Sequence, residues 1–78
     1  MPFINIKVPK DTLPKEKKDE MIRRVSETVA EIEASPKPKD NLLAYTWCVI
    51  EEVVMDHWGI GGNAITPEVL QAVIEGQN

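Results

Sequence analysis

Leu42-Leu43-Ala44-Tyr45-Thr46-Trp47-Cys48-Val49-Ile50-Glu51-Glu52-Val53-Val54 is apolar throughout, apart from Thr46 and the Glu51–Glu52 pair. Read as a strand, it sets Leu43, Tyr45, Trp47 and Val49 on one face and Leu42, Ala44, Thr46, Cys48 and Ile50 on the other. A strand apolar on both faces is covered on both faces. The chain upstream supplies one cover. From Lys15 to about Ala34, Met21, Ile22, Val25, Val29 and Ile32 recur at helical spacing and draw one apolar stripe. Lys18, Glu20, Arg24, Glu27 and Glu31 take the opposite side. The chain has nothing left for the second cover, so another subunit is expected there.

Further upstream, Phe3 to Val8 alternates: Ile4, Ile6 and Val8 against Phe3, Asn5 and Lys7, the period of a half-buried strand. Pro9 ends it and Lys10–Pro14 is a loop. Thr12 is the candidate N-cap of the helix, and Pro14 falls in its first turn. Ser35-Pro36-Lys37-Pro38 stops it. Strand, long helix, strand is a βαβ unit with parallel strands and a right-handed crossover, which places the chain in the α/β class.

Downstream, His57-Trp58-Gly59-Ile60-Gly61-Gly62 holds three glycines in four residues, a tight turn of the backbone. It lacks the Lys-Ser/Thr pair of a phosphate loop. Thr66-Pro67-Glu68 then starts a short helix with a cap, a proline in the first position and a carboxylate at the positive end of the dipole. Val69, Leu70, Val73 and Ile74 form its apolar stripe, and it ends near Gly76. A helix this short is not stable alone and must dock on its own domain or a neighbour.

Seventy-eight residues make a single domain, 1–78, of a size at which one core is marginal. Small folds usually add disulfides, a metal or partner subunits. Cys48 is the only cysteine and His57 the only histidine, which excludes an internal disulfide and disfavours structural zinc. Self-association is left as the source of further burial. A net charge of −4, from 13 acidic and 9 basic side chains, argues against a general nucleic-acid binder. Lys7, Lys10, Lys15, Lys17 and Lys18 read as a solvated loop and helix start. No stretch approaches the ~20 apolar residues of a membrane span, and no secretory signal is visible; a cytoplasmic protein is expected.

Pro2 follows the initiator methionine. Proline has no N–H for a ladder, and the first position of a strand is one of few places where that costs little. Removal of Met1, usual before a small residue, would also turn Pro2 into a terminal secondary amine, which is a base.

Pro2, the alternating strand, the helix carrying Ile22-Arg23-Arg24-Val25-Ser26-Glu27, the apolar second strand and the His57–Gly62 turn together resemble the 4-oxalocrotonate tautomerase family. The likeness covers residues 2 to about 63. It implies a β-α-β subunit with a small C-terminal hairpin, pairing into dimers and often assembling as a hexamer, a trimer of dimers. Dimers and trimers are the alternatives. It also implies that freed Pro2 moves a proton on a small-molecule enol or unsaturated ketoacid, without a metal or organic cofactor. The chemistry is sound on its own terms. An α-amino group titrates near 7.7–8.0 in general and a secondary amine higher. Apolar surroundings disfavour the ammonium and bring the amine toward neutrality, where one group can take and return a proton. Phe3, Trp47 and Trp58 are the candidate walls, and Trp58 keeps the aromatic character of the family's position before Gly-Ile-Gly-Gly. His57 reads as a structural or surface residue.

The sequence also departs from the family. Two arginines that grip a dicarboxylate in the best-known members fall here on Thr12 or Leu13 and on Trp47. Without that clamp a flatter, more apolar or aromatic enol with at most one carboxylate is expected. Lys10 or Lys15 is the candidate to meet it. Trp47 reads equally as pocket wall or subunit contact, and Arg23 and Arg24 as surface charges. Two alternatives stand beside the tautomerase: a hydratase or dehalogenase of unsaturated acids, and a non-catalytic assembly module that keeps Met1, in which Pro2 is a tertiary amide.

Overall fold

The computed structural model describes residues 1–76. Strand β1 spans Phe3–Pro9, helix α1 Lys15–Ala34, a one-turn helix α2 Asp40–Leu43, and strand β2 Trp47–Val53. A 3-10 turn at Met55–His57 leads to a hairpin of β3, Gly59–Ile60, and β4, Asn63–Ala64; helix α3, Pro67–Ile74, follows. This is the expected β-α-β subunit with a C-terminal hairpin and a short C-terminal helix.

β1 and β2 pair in parallel from Phe3↔Trp47 to Pro9↔Val53. The apolar run that begins at Leu42 is therefore a strand only from Trp47. Its first part is helix and turn, closed by Ala44 N–H to the Asp40 carbonyl and Thr46 N–H to the Leu43 carbonyl. The cause lies in the partner: β1 begins at Phe3, so the ladder has nothing to offer β2 before Trp47. The first ladder bond runs from Trp47 N–H to the Pro2 carbonyl at 3.1 Å, and one from Lys10 N–H to the Val53 carbonyl at 2.8 Å closes the far end.

Helix α1 lies over the face holding Ile4, Ile6 and Val8 of β1 and Cys48 and Ile50 of β2. Lys18 Nζ reaches Glu52 Oε1 on that side at 3.2 Å. Ser26 and Ala30 are the α1 residues buried against the sheet, not the larger members of the predicted stripe. Small side chains let the helix approach closely. Met21, Val25 and Val29 stay half-buried beside them, and Ile32 is 72% exposed. The predicted Thr12 cap is also absent. Pro14 occupies the N-cap and its carbonyl accepts from Lys17 and Lys18 N–H. Asp11, at φ 63°, turns the loop so that the Thr12 hydroxyl donates to the Pro9 carbonyl at 2.7 Å instead.

Gly61 and Gly62 have φ of 61° and 84° at the hairpin tip, the left-handed pair that a two-residue turn demands. The α3 cap is as expected: Thr66 Oγ1 accepts from Val69 N–H at 3.2 Å, with Pro67 in the first turn.

Among the described residues only Val8 and Ala30 are buried apolar side chains. The chain exposes 6110 Å², against roughly 4,800 Å² for a compact monomer of its mass. Its radius of gyration is 15.8 Å, against about 11.5 Å for a compact domain. The second face of the sheet is open, as the doubly apolar strand implied: Phe3 is 66% and Trp47 65% exposed there. No helix among the described residues is long and apolar enough to cross a membrane.

Candidate active site

Pro2 sits half-buried at the N-terminal edge of the sheet, tied down by its carbonyl through the bond from Trp47 N–H. The ladder asks nothing of its nitrogen. Met1, 81% exposed, lies outside the packed structure, so the fold does not depend on it. Phe3 and Trp47 are register partners, which sets their rings side by side on the open face next to Pro2. Three of the four candidate residues are thus brought together by one sheet corner.

The fourth is not. Trp58 follows the far end of β2, and its indole N–H donates to the Val53 carbonyl at 3.3 Å. Val53 lies six residue steps beyond Trp47 on the strand, roughly 20 Å along the sheet. Within one chain Trp58 cannot wall Pro2. The expected dry aromatic niche is likewise not closed by one chain, since Phe3 and Trp47 are mostly exposed.

Trp58 is nevertheless held in a defined place. Its own carbonyl accepts from Ile65 N–H at 2.9 Å, which fastens it to the hairpin. Val53 carbonyl receives both this indole and the Lys10 amide, so the loop after β1 and the indole meet at one oxygen. Sequence reasoning missed this anchor. The available signal was Pro9, which ends β1 and hands the last ladder bond to Lys10. Sequence also gave no address for α3. Leu70 and Ile74, at i and i+4, border a cleft of about 380 Å³ with Lys10, Asp11, Thr12 and Met55.

The charged residues sort by their partners. Lys15 pairs with Asp19 at 2.7 Å, Arg24 with Glu20 at 2.8 Å and Lys7 with Glu51 at 2.6 Å. The guanidinium beside Glu20 holds its carboxyl below the usual range, and hydrogen bonds from Lys7 and then Asn5 do the same for Glu51. His57 is exposed in the turn before Trp58. Thr12 and Leu13 are half-buried in the loop and offer no cation.

Comparison with known proteins agrees with this architecture. The family model described as tautomerase enzyme matches residues 2–68. The chain is 36% identical over 72 residues to probable tautomerase K2 of Dickeya dadantii, covering 92% of this chain and 98% of that protein. The crystal structure of DmpI from Helicobacter pylori superposes with a TM-score of 0.61 at 30% identity, covering 99% of this chain and 100% of that one. The family match spans β1, α1, β2 and the hairpin, the parts that carry the family resemblance in the sequence. By sequence and by fold, the chain belongs to the tautomerase family, a family of isomerases.

Proposed function

We propose that the protein is a cofactor-independent tautomerase whose general base and acid is the ring nitrogen of Pro2, freed by loss of Met1. Its substrate is an enol or unsaturated ketoacid, apolar or aromatic rather than a dicarboxylate. The working unit is a homo-oligomer, a trimer of dimers, in which Trp58 of a neighbouring subunit closes the pocket over Pro2. The observation that carries this reading is the attachment of Pro2 by its carbonyl alone, beside the exposed Phe3–Trp47 pair. That arrangement leaves the nitrogen available and sets an aromatic surface next to it.

The chemistry is a proton transfer in two halves. The neutral amine takes the enol O–H proton. The O–H electron pair becomes the carbonyl π bond, and the C=C pair takes a proton from the prolinium to form the new C–H bond. One nitrogen serves both halves and ends as it began. The missing arginine clamp supports the substrate class, since Trp47 offers no charge-assisted contact to a second carboxylate.

An added glycine between Met1 and Pro2 tests the reading without changing any side chain, because it converts the ring nitrogen into an amide. With processing verified by intact mass, ketonisation of phenylenolpyruvate by the parent is expected to exceed the extended variant by about 100-fold or more. Equal rates in the two proteins would overturn the assignment.

A further inference from the structure

Helix α3 carries apolar Val69, Leu70, Val73 and Ile74, yet it makes no extended contact with any other element of its own chain. Leu70 and Ile74 border the cleft beside the Lys10–Thr12 loop. Val69 and Val73, one turn apart on the neighbouring strip of the helix, are 49% and 66% exposed. Glu68 and Glu75 flank them across Ala72, and residues 67–76 hold no cation. The family match ends at residue 68, so most of α3 lies outside it.

Helix α1 has the complementary surface. Val25 and Val29 stand one residue before the buried Ser26 and Ala30, which turns their row about 100° away from the buried one. With Met21 they floor a groove of about 470 Å³. Lys17 and Arg24 rim it; Glu20 answers Arg24, and Lys17 has no ion-pair partner among the described residues. Lys17 to Val29 spans about 18 Å of helix, enough for the roughly 12 Å of α3. Ile65 N–H, bound to the Trp58 carbonyl, ties the start of α3 to the hairpin, and α3 does not line this groove in its own chain.

We propose that α3 is an arm between subunits: Val69 and Val73 of one chain lie in the α1 groove of a second copy, over Met21, Val25 and Val29, with Glu68 and Glu75 toward Lys17 and Arg24. Charge and shape select the occupant. The helix is negative, the rim is net positive, and both surfaces are apolar at the centre. In a two-fold pair the exchange is reciprocal and closes, each chain giving one arm and taking one. The inference shares with the proposed function only the premise of self-association and requires no chemistry at Pro2.

Disulfide trapping in the full chain tests it, with Cys48→Ser removing the native thiol. Val73→Cys and Val25→Cys are made in separate chains, one labelled with nitrogen-15, then unfolded, refolded together at equal concentrations and oxidised. Linked pairs of unlike chains are expected at roughly a quarter of the contacts, seen by intact mass, and absent when either variant is oxidised alone. Val73→Cys linking to itself would mean that α3 meets α3, Val25→Cys linking to itself that α1 meets α1, and no linkage that the surfaces do not meet; each overturns the proposal. A second measurement uses Val73→Glu. This side chain is mostly exposed in one chain, so the variant is expected to keep its far-UV circular dichroism, while self-association followed by sedimentation weakens about tenfold or more. An unchanged association constant would overturn the arm, and Pro2-dependent ketonisation by the same protein would leave the tautomerase reading standing.

Discussion

Glu51 accepts from Lys7 Nζ at 2.6 Å and from Asn5 Nδ2 at 3.3 Å, on the open face of the sheet. Both donors favour the carboxylate, so its folded-state titration lies below the ordinary value. Unfolded, the same group titrates at the ordinary carboxylate value. The stability it contributes is therefore fully present above that pH and is lost as pH falls through the lower, folded value. Lys7→Ala removes the leading cause. The side-chain carboxyl of Glu51, followed by carbon-13 NMR, should then titrate at higher pH than in the parent, with an unmoved midpoint counting against the pairing. The same residue scale shows what the sequence could say about Pro2. It displayed a proline that costs a parallel strand nothing, but not that its carbonyl is the anchor. That depended on where β2 starts, which is a pairing fact.

Elements were legible where their signals were local. The α1 span, the Thr66 cap and the Gly61–Gly62 tip each follow from a few adjacent residues, and all stand in the structure. What the sequence could not show depended on partners. Leu42–Thr46 reads as strand by composition, yet β1 leaves it unpaired and it folds into α2 and a turn. The sequence points to the large apolar residues of α1 as its buried stripe, while close packing on the sheet selects two small ones, Ser26 and Ala30. Ala30 is fully buried, so Ala30→Leu must push helix and sheet apart. We expect a loss of about 1–3 kcal/mol, measured as a lower urea midpoint with an unchanged slope. Stability equal to the parent would show that α1 does not lie closely on the sheet at Ala30.

At the scale of the whole molecule, one chain holds its candidate site residues at two separate ends of the sheet. Pro2, Phe3 and Trp47 lie at one edge of the sheet; Trp58 and Lys10 lie at the other, and about 1,300 Å² more surface is exposed than a compact chain of this mass would show. Excess of that size is comparable with what a specific interface buries. On the proposed reading, assembly would serve burial and catalysis together: the surface that a subunit cannot cover would be the surface on which Pro2 of one chain meets Trp58 of another. This has a consequence for mixed assemblies. A variant with Pro2 blocked by an added residue keeps Trp58, and Trp58→Ala keeps Pro2; each should be nearly inactive as a homo-oligomer. Unfolded together and refolded at equal concentrations, they should regain roughly a quarter of wild-type sites, those in which an intact Pro2 faces an intact Trp58 from a different chain. Ketonisation of phenylenolpyruvate, with size-exclusion chromatography confirming co-assembly, measures the return. If co-assembled mixtures stay as inactive as their parents, Trp58 does not complete its neighbour's site, and Pro2 must work with Phe3 and Trp47 of its own subunit.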